Sequence, residues 1–107
     1  MAKIKIEQNQ PGNIEVAMSG DLNIYSVAEI FEKLQKELQF EDNIKLDFKE
    51  ITELDTAGLQ LFIMLIKHAK EQGCHVDINV MSDVVKQSVN QFNLQRYFPM
   101  ANSEETI

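Results

Sequence analysis

The segment LDTAGLQLF places Asp55, Thr56 and Gly58 where an apolar helix is expected to begin. A helix start exposes unpaired backbone N–H groups and the positive end of the helix dipole. A phosphate held there would gain hydrogen bonds and a favourable charge interaction. The hydroxyl of Thr56 is therefore a candidate for reversible phosphorylation.

The same residues also have a purely structural interpretation. A side-chain oxygen of Asp55 or Thr56 could cap the helix, which is worth about 1 kcal/mol. Gly58 would then serve close packing, because glycine otherwise costs about 1 kcal/mol relative to alanine inside a helix. On the residues alone capping is favoured over phosphorylation, and both interpretations stay open.

Other residues that could catalyse a reaction or bind a metal are few and unsuitably spaced. His68 lies in a predicted helix and His75 at the start of a predicted strand, and neither has metal-ligand spacing to Cys74. The chain contains no glycine-rich phosphate loop and no G-x-S-x-G serine motif. We therefore expect a protein that is not an enzyme and needs neither metal nor cofactor.

Length and charge restrict the classes of partner. The chain has 107 residues, which predicts a single domain over 1–107, with a flexible tail from about residue 100. Its net charge of −7 argues against nucleic acid, because phosphates would be repelled. Its apolar runs are too short for a signal peptide or a membrane span. A cytoplasmic protein without direct membrane insertion is expected.

Hydrophobic periodicity predicts the elements that must position Thr56. Period-two alternation predicts strands near Ile4–Ile6, Ile14–Met18, Ile44–Phe48 and Val76–Val80. Period 3.6 predicts helices near Val27–Leu38, Thr56–Gln72 and Asp83–Phe92. These elements indicate an α/β (α+β) fold, a mixed sheet of four or more strands with helices packed mainly on one face.

Two local features complete this interpretation. The S-x-x-E spacing of Ser26 and Glu29 predicts a capping box at the start of the first helix. The inward faces of the predicted elements define a hydrophobic core comprising Ile14, Val16, Ile30, Leu34, Leu46, Phe48, Leu59, Phe62, Ile63, Ile66, Ile78 and Val89.

Three segments in this order resemble the STAS family, the sulfate-transporter and anti-sigma-factor-antagonist domain. LDTAGLQLF resembles its D-[ST]-x-G-[LIV] motif, GDLNIYSVAEIFEKL its loop-and-helix segment, and FNLQRYF its closing segment. The resemblance covers Ile4 to Phe98. Where antagonists of the family commonly carry aspartate, in GELD, this chain has Asn23.

The resemblance implies a regulatory module that binds proteins and is switched by phosphorylation of Thr56. The implied partners are an anti-sigma-like kinase or a chemosensory or two-component protein, and homodimerisation is left open. An alternative is a constitutive accessory subunit of a lipid-transport ATPase, in which Thr56 only makes a contact. The predicted partner-binding residues are Gly20, Asp21, Asn23, Tyr25, Asp55, Ala57, Gly58, Gln60, Leu61 and Met64.

Overall fold

The alternating residues at the amino terminus form a β-hairpin. The computed structural model describes residues 2–39 and 43–97 of the chain. Strand β1 (Lys3–Gln10) pairs antiparallel with β2 (Asn13–Leu22). The turn between them contains Gly12, whose φ of 83° lies in the left-handed region that glycine adopts without steric cost.

Two more strands join the hairpin through helical connections. Helix α1 (Val27–Glu37) leads to β3 (Asn43–Leu54), and α2 (Thr56–Glu71) leads to β4 (His75–Met81). Helix α3 (Asp83–Gln91) and a short 3₁₀ helix (Gln95–Tyr97) follow. The strand order is β1-β2-β3-β4, with β2–β3 and β3–β4 parallel. The predicted fold class, a mixed sheet with helices, is confirmed.

The helices and the inward face of the sheet share one hydrophobic core. Alternate residues of β2 and β3, such as Val16 and Leu46, are fully buried there, whereas their neighbours Lys45 and Asp47 lie on the polar face. The rings of Phe48 and Phe62 stack at 4.1 Å between centroids and join β3 to α2. Among the described residues, no helix is long and apolar enough to cross a membrane.

Irregularities in strand pairing change which residues face the core. Ala17 of β2 pairs with Asp47 of β3, but Ser19 pairs with Glu50, so β3 has one extra residue in this stretch. The extra residue changes the alternation of β3, and Ile51 is buried. In β4 the pairing shifts so that Val80 lies opposite Asp47 on the polar face. Val80 is consequently 44% exposed, and the alternation predicted for β4 is wrong at this residue.

The buried face of α2 is rotated relative to the predicted one. Ile63 is only partly buried, whereas Leu61 and Leu65 are buried. Because α2 packs beside α1 as well as on the sheet, its buried face extends toward α1. Phe92, the last residue of the predicted third helix, is the C-cap of α3 and is exposed. The predicted tail lies outside the described residues.

The stacked pair in the core gives a stability prediction. Phe62→Ala should reduce the free energy of unfolding by about 3–5 kcal/mol, because it removes a fully buried ring and leaves a cavity. Phe92→Ala should cost less than about 1 kcal/mol, because that ring is exposed. Urea unfolding of both variants measures the difference, and similar losses would contradict the assigned core.

Candidate functional site

The candidate site forms where β2 and β3 end side by side. Leu22 pairs with Leu54 at the carboxyl ends of these parallel strands. The loop of residues 23–26 follows β2, and Asp55 follows β3 directly. Because parallel strands end at the same edge of a sheet, this loop and the start of α2 are neighbours.

Asp55 holds both segments with one carboxylate. Its Oδ1 accepts a hydrogen bond from the backbone N–H of Gly58 at 3.0 Å, which caps α2. Its Oδ2 accepts from the backbone N–H of Ile24 at 2.9 Å. The Asp55 N–H in turn donates to the Leu22 carbonyl at 3.2 Å. Asp55 is therefore the cap of α2 and also the anchor of the loop.

Asn23 fixes the loop from the other side. Its Oδ1 accepts from the Tyr25 N–H at 2.9 Å, a local turn that asparagine favours. Its Nδ2 donates to Oε1 of Glu53 at 3.1 Å. An aspartate at this position could not donate that bond while ionised. The asparagine thus joins the loop to β3 through a neutral donor beside an acidic side chain.

Ser26 does not form the predicted capping box. Its Oγ accepts from the Asn23 N–H at 3.0 Å and donates to the Asp21 carbonyl at 2.9 Å. The N-cap position of α1 has no side-chain capping hydrogen bond. The serine hydroxyl closes the loop instead of capping the helix, because the Asn23 N–H and the Asp21 carbonyl both lie within its reach.

Gly58 allows α2 to begin in contact with the end of β2. A Cβ at this position would lie 2.6 Å from the Leu22 carbonyl oxygen and 2.7 Å from Cδ1 of Leu54. Real side chains do not approach backbone this closely, so only glycine fits. The close approach accounts for a residue that lowers helix propensity in the first turn.

Thr56 is the first residue of α2, and its side chain is exposed. The cap is made by Asp55, so the capping alternative does not apply to Thr56 itself. No hydrogen bond within the described part of the chain involves the Thr56 hydroxyl. The hydroxyl is therefore accessible and uncommitted at the positive end of the α2 dipole.

The structure brings most of the predicted partner-binding residues to this end of the sheet. Asp21 accepts a hydrogen bond from Thr52 Oγ1 at 2.9 Å, and Gly20 has a φ of 86° next to a pairing irregularity. On α2, Gln60 and Met64 are exposed, whereas Gly58 and Leu61 are buried. Gly58 and Leu61 therefore lie beneath the exposed residues and support the shape of this surface.

Two exposed apolar residues at this surface, Ile24 and Phe31, are absent from the predicted partner-binding residues. Ile24 is 65% exposed beside Tyr25, which is 93% exposed. Phe31 of α1 is 37% exposed. The apolar pair Ile24 and Tyr25 within a polar loop was a usable signal, because neither the strand nor the helix period requires apolar residues there.

Each histidine lies beside an acidic side chain. Nε2 of His75 lies 3.1 Å from Asp77 Oδ2, and Nδ1 of His68 lies 3.9 Å from Glu71 Oε1. Cys74 is buried. Over residues 2–39 and 43–97, no group of three or more His, Cys, Asp or Glu side chains is placed to hold a metal ion.

The double role of Asp55 gives a second prediction. Asp55→Ala should cost about 1–2 kcal/mol in urea unfolding, because the cap is lost. Hydrogen exchange should accelerate at the Ile24 and Gly58 amides. Glu50→Ala, which removes an exposed carboxylate of β3 that makes no contact with the loop, should leave both amides protected. An unchanged hydrogen-exchange rate at the Ile24 amide in Asp55→Ala would contradict the anchoring of the loop by Asp55.

Comparisons with solved structures agree with this architecture. The anti-sigma factor antagonist SpoIIAA in its unphosphorylated form matches with a TM-score of 0.71 and 16% identity, over 97% of this chain and 92% of that chain. The Bacillus cell fate determinant SpoIIAA in its phosphorylated form matches with a TM-score of 0.68 and 15% identity, over 97% and 96%. At these identities the likeness establishes a shared fold.

Sequence comparison assigns the family. An anti-sigma-B factor antagonist from Bacillus subtilis (strain 168) is 25% identical over 80 residues, which are 75% of this chain and 72% of the relative. The family model described as STAS domain matches residues 4–107, nearly the whole chain. The chain therefore belongs to the STAS domain family.

Proposed function

We propose that this chain is an anti-sigma-factor-antagonist-like regulator that binds a protein partner and is switched by phosphorylation of Thr56. The chain acts by binding and not by catalysis. The observation that carries the proposal is the Thr56 hydroxyl, which is exposed and free of hydrogen bonds to described residues, next to an anchored loop. Its partner is an anti-sigma-like kinase in the cytoplasm.

The switch is a phosphoryl transfer to the Thr56 hydroxyl. The kinase transfers the γ-phosphoryl group of ATP to the Thr56 hydroxyl oxygen, ADP leaves, and the hydroxyl proton passes to a base of the kinase. The product carries about −1.5 to −2 added charges. The helix start supports the phosphate by its dipole, so the fold can tolerate the modification.

The added charge would act on the surface next to Thr56. The carboxylates of Glu53 and Asp55 already lie at this end of the sheet, and both accept hydrogen bonds within the loop. Bulk and charge on Thr56 would change a surface whose loop is held in one conformation. A partner fitted to the unmodified surface would therefore be released on phosphorylation.

The relatives favour this proposal over its alternatives. The curated relative is named an anti-sigma-B factor antagonist, and a protein of the same fold has been solved in phosphorylated and unphosphorylated forms. A constitutive subunit of a lipid-transport ATPase is the second candidate. A chemosensory role stays a prediction. Whether Thr56 is phosphorylated in native cells distinguishes the antagonist-like regulator from the constitutive subunit.

The third prediction tests Thr56 with a matched charge control. Thr56→Glu should weaken binding to the partner by about tenfold or more, because the carboxylate imitates part of the added charge. Gln87→Glu adds the same charge on the exposed face of α3 and should bind like the parent. Titration calorimetry with the purified partner measures both affinities.

The matching alanine variant and the native protein complete the test. Thr56→Ala should still bind the partner but accept no phosphate from the kinase. Mass spectrometry of protein purified from its native cells should find phosphate on Thr56. Each variant must first match the parent in circular dichroism and unfolding midpoint. If Thr56→Glu binds as tightly as Gln87→Glu and native Thr56 is never phosphorylated, the constitutive-subunit function is favoured.

A further inference from the structure

An apolar groove runs between α1 and α2. Its central part is lined by Phe31, Leu61 and Met64, and it continues past Leu34 and Leu38. Phe31 and Met64 are 37% and 44% exposed, so large apolar surfaces face solvent along it. We refer to this feature, from Ala57 to Glu71 along α2, as the interhelical groove.

The interhelical groove is continuous with the surface around Thr56. The same three residues, Phe31, Leu61 and Met64, also line a depression that ends at Ala57 and Val27. Ala57 directly follows Thr56 in the first turn of α2. One end of the groove therefore lies beside the proposed switch, and the other lies near Lys67 and Glu71.

The walls of the groove determine what kind of segment could bind. They consist of side chains from two helices, whose interior backbone N–H and C=O groups are already paired within each helix. An extended peptide would find few backbone partners there and would leave its own polar groups unpaired. A helical segment satisfies its own backbone and can place an apolar stripe between two helices.

The dimensions and charge of the groove add further constraints. Ala57 to Glu71 spans about 21 Å of helix axis at 1.5 Å per residue. A bound helix of about four turns would match that length. Lys67, His68 and Glu71 line the far end. Glu71 Oε1 lies 3.9 Å from His68 Nδ1, whereas no ion pair within the described residues involves the exposed Lys67. An acidic side chain on the bound helix would complement Lys67.

We propose that the interhelical groove binds an amphipathic helix of the protein partner, with apolar residues against Phe31, Leu61 and Met64 and an acidic residue near Lys67. The inference rests on the proposed function in one respect: the helix is assigned to the same partner that is released when Thr56 is phosphorylated. The groove supplies apolar contact area, whereas Thr56 controls one end of it. Phosphorylation and groove contacts are therefore separately testable.

The first test introduces a charge into the groove and outside it. Immobilised parent, Met64→Glu and Val80→Glu chains are exposed to the same lysate of source cells, and proteins retained by the parent are quantified by mass spectrometry. Met64 and Val80 are equally exposed, at 44%, but Val80 lies on β4 outside the groove. A partner retained by the parent and Val80→Glu should be lost from Met64→Glu.

Purified partner then gives the affinities. Met64→Glu should weaken binding by about tenfold or more, because it places a charge at the centre of the proposed interface, where single residues contribute most to affinity. Lys67→Glu should weaken it by about threefold to tenfold, because an attraction becomes a repulsion. Lys86→Glu, the same charge reversal on α3, should have no effect. Lys67→Glu changes an exposed side chain, so it tests the groove even if Met64→Glu unfolds.

Cross-linking identifies the occupant. A photoreactive residue placed at Gln35, on the rim of the groove, should cross-link to one segment of the partner. That segment should show apolar residues at helical spacing and become protected from hydrogen exchange on binding. Cross-links to an extended segment, or to a second copy of this chain together with a Met64-dependent dimer in sedimentation, would overturn the proposal.

The two proposals fail in different ways. If Met64→Glu and Lys67→Glu weaken binding but Thr56→Glu does not, the groove is the docking site and the switch is wrong. If Thr56→Glu weakens binding while both groove variants bind like Val80→Glu and Lys86→Glu, the inference about the groove is wrong. If no protein prefers the parent over Met64→Glu, the groove inference is likewise wrong.

Discussion

The carboxylate of Asp55 organises the candidate site. One oxygen accepts from the Gly58 N–H and the other from the Ile24 N–H, so one side chain joins the start of α2 to the β2–α1 loop. This arrangement requires β2 and β3 to be parallel neighbours that end together, with Leu22 opposite Leu54. The same side chain therefore makes a local helix cap and a tertiary contact. The conformation of the loop follows from it.

The close contact at Gly58 makes that arrangement tight. The absence of a side chain lets the first turn of α2 lie against the Leu22 carbonyl oxygen. Further along the same helix, the ring of Phe62 stacks on Phe48 of β3. The site is therefore placed on a helix that is fixed at its start by hydrogen bonds and packing, and along its length by the core. Rigid support of this kind lowers the entropy lost on binding.

The exposed apolar side chains of the loop are attached to a backbone that is held in place. Ile24 and Tyr25 project from a loop whose backbone N–H groups are held by Asp55 and Asn23. Apolar groups left in water without a partner are a liability, and contiguous ones indicate binding surfaces. The loop and the interhelical groove together form a surface along α1 and α2. Thr56 lies where one charge-changing modification could alter it.

The sequence by itself determined the element types, most of the core and the position of the hydroxyl. Alternation at Ile14–Met18 and helical spacing after Asp55 predicted where strands and helices form, because these periods report local burial. The helix bounds were close, whereas β3 continues to Leu54, beyond the predicted Phe48. The motif LDTAG placed Thr56 at a helix start. Asp55 and Thr56 were equal candidates for the cap, since both have a suitable side-chain oxygen.

Only the tertiary structure decided which residue caps and which surface is formed. Asp55 is the cap of α2, and its second oxygen also reaches the Ile24 N–H, a group 31 residues away in sequence. Ser26 closes the loop because the Asp21 carbonyl lies within reach of its hydroxyl. The exposure of Val80 depends on a pairing shift between β3 and β4, and that of Ile63 on how α1 lies beside α2. These outcomes depend on contacts between distant segments, which periodicity along one segment does not encode.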